Sequence, residues 1–363
     1  MSSTAGEEES VPLIDSDDGH LDLSQYLATR TGFLPIPVVI TEPAVGYGGG
    51  LGLMFIHGQL GAKDGEERKG PPSITVLGGA YTESESWATG LGHFGSWYED
   101  RLRYTGLLGK GVGNLEFFGI GDDPAGSLGE NGLDFEIEGL FVRQQLLAKM
   151  SDTPLFVGLR YEIANTETKF DAGVPAIPQQ AFDRQDASIA AVAQFDTRDT
   201  IFTPSRGANA TLAAFHYDEW LGGDGEYNRL ELRTPFWVPL DETLVLGVNP
   251  LLTLAGDDTP FYALPYVTLR GVPALRYQGD DAASLEAELR WNFVPRWSVI
   301  GFGGVGQAVE SSAEFGGESY LVKAGGVGFR YMIARAFGLH VGLDVARGPE
   351  DTAVYIQVGS AWH

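Results

Sequence analysis

The chain has 363 residues with 50 Gly, 19 Pro and no Cys, and its 49 acidic side chains outnumber 24 basic ones for a formal charge of −25. Without Cys there is no disulfide framework, no thiolate metal site and no Cys nucleophile, and the acidity argues against nucleic acid, which needs clustered Lys and Arg. A hydrophobic share of 43% is too high for a disordered acidic chain, yet the longest uncharged stretch near the start, Pro43 to Ala62, carries seven Gly with His57 and Gln59 and is no spanning helix.

Residues 1–32 are polar and acidic (Glu7 to Glu9, Asp15, Asp17, Asp18), with one short amphipathic piece at Leu21 to Thr29. They read as a largely irregular tail with at most one or two helical turns. The start has neither the basic residues nor the apolar run of a signal peptide. The chain is therefore expected to be cytoplasmic, or a mature form whose precursor had a leader.

From Leu34 onward, runs of 8–16 residues alternate apolar with polar or Gly, between turn-rich clusters. The period is 2 rather than 3.6, which is that of strands. The expected strands are 35–42, 45–57, 73–82, 86–96, 101–116, 133–149, 155–170, 187–196, 206–218, 227–237, 242–255, 283–294, 297–308, 321–333, 338–347 and 352–362, sixteen in all. In 155–163, Leu155, Val157, Leu159 and Tyr161 oppose Gly158, Arg160 and Glu162. In 229–236, Leu230 and Leu232 oppose Arg229, Glu231 and Arg233. In 285–293, Leu285, Leu289, Trp291 and Phe293 oppose Glu286, Glu288 and Arg290. In 339–345, Leu339, Val341 and Leu343 oppose His340 and Asp344. The last strand places Val354, Ile356, Val358 and Trp362 on one side.

A soluble sandwich alternates in the same way. A transmembrane barrel is favoured by strand length, against a globular mode of about 5–6 residues. It is also favoured by charges and Gly on the second face, and by aromatics near strand ends such as Tyr81, Trp97, Trp237, Trp291, Trp297 and Trp362. An edge exposed to lipid leaves unpaired N–H and C=O groups in hydrocarbon, so such a sheet must close. The fold expected for 33–363 is thus all-β, a 16-stranded antiparallel transmembrane β-barrel.

Two segments do more than alternate. Asp196-Thr197-Arg198-Asp199-Thr200-Ile201-Phe202-Thr203-Pro204-Ser205-Arg206-Gly207 reads locally as a Pro/Gly turn with an ion pair. Leu269-Arg270-Gly271-Val272 lies in the connection 256–282, which is too apolar and aromatic (Phe261, Tyr262, Leu264, Tyr266, Val267) for a solvated loop.

Together these motifs resemble the BamA/TamA superfamily of outer-membrane barrels, the bacterial surface antigen family. Asp196, Arg198, Asp199, Phe202, Pro204 and Gly207 match its turn before the ninth strand. Leu269-Arg270-Gly271-Val272 matches its loop 6 motif, with Val272 in place of an aromatic. Ile40 to Gly48, Phe117 to Asp122 and Gly325 to Trp362 resemble further family segments, so the resemblance spans about 35–363. It implies that loop 6 folds into the lumen and that Arg270 pairs with wall acids: Glu288 and the adjacent Glu286, with Asp344 also facing inward. The family's second acid would fall near Phe302 to Gly306, where no acid stands. Residues 1–32 are too few for the family's periplasmic POTRA domains. Ile356, Val358 and Trp362 fit a C-terminal recognition strand.

The resemblance implies a bacterial outer-membrane protein of biogenesis, acting in protein insertion, scaffolding or lipid handling through a weak seam between first and last strands. Its expected partners are outer-membrane lipid and lipopolysaccharide and a periplasmic or outer-membrane protein. The alternatives are a passive channel for small solutes and a structural platform. No Gly-x-Ser-x-Gly elbow or phosphate loop is present, so neither catalysis nor a cofactor is expected. The six His show no metal-ligand spacing, and the acidic loops read as solvated surface rather than Ca²⁺ sites.

Overall fold

The structure is a computed structural model that describes residues 13–29, 33–42, 44–57, 70–117, 133–170, 183–256, 258–309 and 321–362. The segment 118–122 of the expected family motif lies outside these residues. One 17-stranded sheet makes up nearly all of the described chain. Its strands are β1 (Phe33–Glu42), β2 (Gly46–His57), β3 (Ser73–Thr82), β4 (Trp87–Trp97), β5 (Leu102–Phe117), β6 (Leu133–Lys149), β7 (Leu155–Phe170), β8 (Asp183–Asp196) and β9 (Gly207–Tyr217). They continue as β10 (Tyr227–Arg233), β11 (Phe236–Pro239), β12 (Leu244–Ala255), β13 (Asp281–Val294), β14 (Trp297–Val309), β15 (Val322–Ala334), β16 (Leu339–Arg347) and β17 (Thr352–Val358). One helix, α1 (Ser24–Thr29), precedes them.

From β1 to β9 and from β12 to β17, each strand pairs antiparallel with the next. The count differs from sixteen because the expected strand 227–237 is two segments. Both β10 and β11 pair with β9 on one side and β12 on the other. The break falls at Thr234-Pro235, opposite Pro250 of β12, whose carbonyl accepts from Thr234 N–H at 3.0 Å. Neither proline has an N–H to give the ladder.

Burial along the strands is inverted relative to a soluble sheet. In β13, Leu285, Leu289 and Trp291 are 45, 42 and 52% exposed, while Glu286 and Arg290 are 5 and 4% exposed. Val327 on β15 is 65% exposed and its neighbour on the other face of that sheet, Arg330, only 2%. A sandwich buries its apolar face. This sheet exposes much of its apolar face and buries charged side chains on the other.

The chain end departs from the expected parity. β17 stops at Val358, and Gly359 at φ +86° turns the backbone. Trp362 therefore does not continue the face of Ile356. It is buried on the polar side, 6.0 Å from the Trp237 ring, and Trp237 is buried with it rather than sitting in an exposed girdle.

The N-terminal segment docks on the sheet. Leu23 N–H donates to Ile333 O at 2.7 Å, and Leu27 of α1 packs with Ala334, Phe337 and Leu339. Arg296, in the β13–β14 turn, receives Asp15, Asp18 and Asp22 at 2.5, 2.5 and 2.6 Å. The Arg296 guanidinium holds the Asp18 carboxyl below the usual carboxylate range. Burial alone raises Asp22, but hydrogen bonds from Ser24 and Arg296 outweigh it and leave it lowered as well. Lowered carboxylate pKa values stabilise docking above the unfolded pKa, roughly 3.9, and that contribution is lost as pH falls through the lower folded values. We expect 13–29 to resist protease at neutral pH and to become cleavable in acid. Arg296→Gln should make it cleavable at neutral pH as well, while leaving the sheet's far-ultraviolet dichroism intact.

Candidate functional site on the polar face

β14 carries Gly301, Gly303, Gly304 and Gly306, and two of these make room for the 256–282 connection. A Cβ on Gly304 would stand 2.6 Å from Leu269 Cδ2, and one on Gly306 2.4 Å from Val267 Cγ1. Val267, Leu269 and Val272 of the connection are buried with Val322 of β15. Val272, where the family pattern has an aromatic, is thus a packing residue in that cluster.

This anchorage sets Arg270 among carboxylates. Its Nε donates to Glu286 Oε1 at 2.9 Å, and its backbone N–H donates to Glu286 Oε2 at 3.1 Å. Its Nη1 donates to Asp344 Oδ2 at 2.7 Å. Nη2 lies 2.9 Å from Glu288 Oε2, at ion-pair distance but without hydrogen-bond alignment. Asp344 is fully buried and is also held by Arg330, whose Nη2 donates to Oδ2 at 2.9 Å. The Trp362 indole N–H donates to Glu286 Oε1 at 2.7 Å.

On the strand at 302–306, where the family pattern has a second acid and this chain has none, the ring of Phe302 lies beneath the guanidinium, 3.6 Å from ring centroid to Cζ. A desolvated cation over a ring is worth roughly 2 kcal/mol. Gly271 at φ +89° completes the turn, and its N–H donates to Tyr355 Oη at 2.9 Å. A Cβ there would also stand 3.0 Å from Gly348 N. The site thus brings β13, β14 and β16 onto Arg270, with β15 joined through Arg330 on Asp344 and β17 through Tyr355 on Gly271.

Glu286, Glu288 and Asp344 all stand within ion-pair distance of Arg270. Arg330, Phe302, Tyr355 and Trp362 were not singled out as partners. Arg330 alone had a signal, since it falls on the polar parity of 322–333.

The 196–207 segment forms a second constellation. Asp196 accepts from Arg103 Nη1 at 2.8 Å and from Arg198 Nε at 2.9 Å. Asp199 Oδ1 accepts from Thr200 and Ser205 N–H at 3.0 and 3.1 Å, closing the turn on itself. Gly207 at φ +96° is required because a Cβ would stand 2.1 Å from Thr197 O. Arg290, buried on β13, donates to Pro204 O at 3.1 Å and Ser205 Oγ at 2.7 Å. Phe202 packs with Phe337 and Leu27, and its carbonyl accepts from Ser360 N–H at 2.6 Å. The segment therefore bridges β8–β9 to β5, β13 and the β15–β16 turn. Of the C-terminal residues, Ile356 is exposed, while Val358 is half-buried against the α1 cluster.

His216, Asp218 and Glu226 bring one ligand atom each within 4.8 Å of one another. The sequence spacing did not flag them. Asp218 already accepts from Trp220 N–H, and His216 contacts Asn228 at 2.9 Å.

No family model matches the sequence, and no curated protein matches it either. Solved structures do match the fold. BamA from Haemophilus ducreyi lacking POTRA domains 1–3 superposes with TM-score 0.54 at 13% identity, covering 96% of this chain and 73% of that one. CdiB from Acinetobacter baumannii gives TM-score 0.59 at 10% identity, covering 90% of this chain and 59% of CdiB. CdiB from Escherichia coli gives 0.61 at 11% identity, covering 89% and 61%. The fold is that of BamA and CdiB. The chain spans about three fifths of the CdiB structures, and at these identities the likeness is one of architecture.

Removing one member of a buried ion cluster costs about 3–5 kcal/mol because the others stay buried. Arg270→Ala should therefore lower unfolding stability by an amount of that order and open 256–282 to protease. Arg270→Lys should recover less than half, because a point charge cannot serve three carboxylates at once.

Proposed function

We propose that the chain is an outer-membrane β-barrel of the BamA type whose 256–282 connection folds into the lumen and is locked there by Arg270. On this reading β1 and β17 close the wall, and their junction is its weak seam. The inversion of burial carries the proposal. Strands of 9–17 residues, such as β16 and β6, expose Leu, Val and Trp and bury Arg, Glu and Asp. That distribution suits hydrocarbon outside and a polar interior.

The seam reading rests on a difference between junctions. β16–β17 pairs over seven registered positions, from Val341↔Val358 to Arg347↔Thr352. Between β1 and β17 a single bond stands out, Val354 N–H donating to Thr41 Oγ1 at 3.0 Å. Among the described residues no ladder joins these two strands. Pro35 and Pro37 of β1 cannot donate.

The role that follows is biogenesis of the outer membrane: inserting or scaffolding other barrels, or handling lipid and lipopolysaccharide, with a protein partner. No reaction chemistry is assigned.

Three measurements test the reading. Val327→Arg, at the middle of an outward face, should cost about 2–4 kcal/mol in lipid vesicles if that face meets hydrocarbon. A cost near zero removes the membrane assignment. A disulfide between Thr41→Cys and Val354→Cys has no native thiol to compete with it. It should abolish assembly of other barrels by proteoliposomes, with recovery on reduction. Undiminished assembly by the cross-linked protein rejects the seam. A large steady conductance from the wild type in planar bilayers rejects the locked loop and favours an open channel.

A further inference from the structure

The polar face holds a second charged region, whose arginines lie on β6, β7 and β10. Beneath the 262–268 stretch of the connection lies a cavity of about 490 Å³. Arg143 of β6, Arg160 of β7 and Arg229 and Arg233 of β10 line it, with Glu231 as the lining acid. A chain that has only 24 basic side chains against 49 acidic ones has placed four guanidiniums around one space.

Local carboxylates offset this charge in part. Glu162 accepts from Arg143 Nε at 2.5 Å and stands 3.7 Å from Arg160 Nη1. Glu231 stands 2.7 Å from Arg229 Nη2. Among the described residues that line the cavity, four arginines stand with one carboxylate, Glu231.

The arginines are also held in place. The Phe215 ring lies 5.5 Å from Arg160 Cζ and 5.0 Å from Arg229 Cζ, and Gln145 accepts from Arg160 Nε at 2.8 Å. Arg229 Nε is buried and makes no hydrogen bond among the described residues. Burying like charges together is costly, and a buried donor without an acceptor adds roughly 1–3 kcal/mol. An anion in the cavity offsets both costs. Guanidiniums suit phosphate and carboxylate oxygens because their forked donors match those groups, and the volume falls within the usual range for small-ligand sites, about 300–1,000 Å³.

We propose that this cavity binds a small multiply charged oxyanion, a phosphorylated or polycarboxylate solute, between the β6–β7 and β10 arginines. The proposal rests on the barrel reading, which makes the cavity part of a water-filled lumen.

The test is calorimetric titration of inorganic pyrophosphate into the full chain in detergent micelles, at fixed ionic strength. Saturable one-site binding is expected. Arg160→Gln with Arg233→Gln should weaken it by about tenfold or more, since each bond to a charged group is worth roughly 1.5–3 kcal/mol. Glu231→Gln, which removes the lining carboxylate, should tighten binding severalfold, an effect that loss of structure cannot mimic.

No saturable heat from the wild type overturns the proposal, as does a Glu231→Gln variant that binds no tighter. The barrel reading is scored separately by the strand dichroism and heat-modifiable migration of the same samples. If those are intact while pyrophosphate does not bind, the site alone fails.

Discussion

Arg270 is surrounded by Glu286 and Glu288 of β13, Asp344 of β16, the Phe302 ring of β14 and the Trp362 indole beyond β17. A guanidinium can serve such a set because its five donors fan out in one plane. Glu286 and Asp344 are buried and Glu288 is half-buried, and a buried carboxylate is expensive alone, so the loop and the sheet cannot be separated cheaply. The glycines of β14 follow from the same constraint. Without the space at Gly304 and Gly306, Leu269 and Val267 could not seat, and Arg270 would not reach the acids. Asp344 extends the coupling outward, since its Oδ2 accepts from both Arg270 and Arg330.

The same logic orders the rest of the polar face. Arg290 ties β13 to the 196–207 turn, Arg103 ties β5 to Asp196, and Arg296 ties the β13–β14 turn to the N-terminal segment. In each case one arginine joins elements distant in sequence through several acceptors. Apolar packing between layers, the usual source of tertiary order in a domain, is confined to small clusters, because most large apolar side chains face outward. Ion pairs of this kind contribute more to specifying which segments meet than to net stability.

Strand positions were legible because period-2 alternation persists through long runs, and in 73–82 and 155–170 the observed bounds equal the expected ones. The acids around Arg270 were legible because parity fixes which side of β13 and β16 they occupy. Legibility failed where parity is interrupted. The split at Pro235 depends on Pro250 lying opposite, a relation between strands that no single segment contains. Trp362 escaped because Gly359 adopts φ +86°, after which alternation no longer predicts a face. The Arg296 clamp escaped for a different reason. Asp15, Asp18 and Asp22 look like solvated acids until a basic residue some 275 positions away reaches them.

The distribution of charge also bears on how such a wall could yield locally. Its two lateral halves are not equally fastened. From β13 to β17 the strands are bound to one another by ladders, and Arg270 adds a second tie among β13, β14 and β16. β1 takes no part in that cluster. It pairs in full register with β2, which carries Gly46, Gly48, Gly49, Gly50 and Gly52 and so has few side chains with which to brace it. Fastening on one side and glycine on the other concentrate compliance at the β1 edge. On the proposed seam reading, the β1–β2 hairpin is the part that moves and the Arg270 cluster is the frame against which it swings.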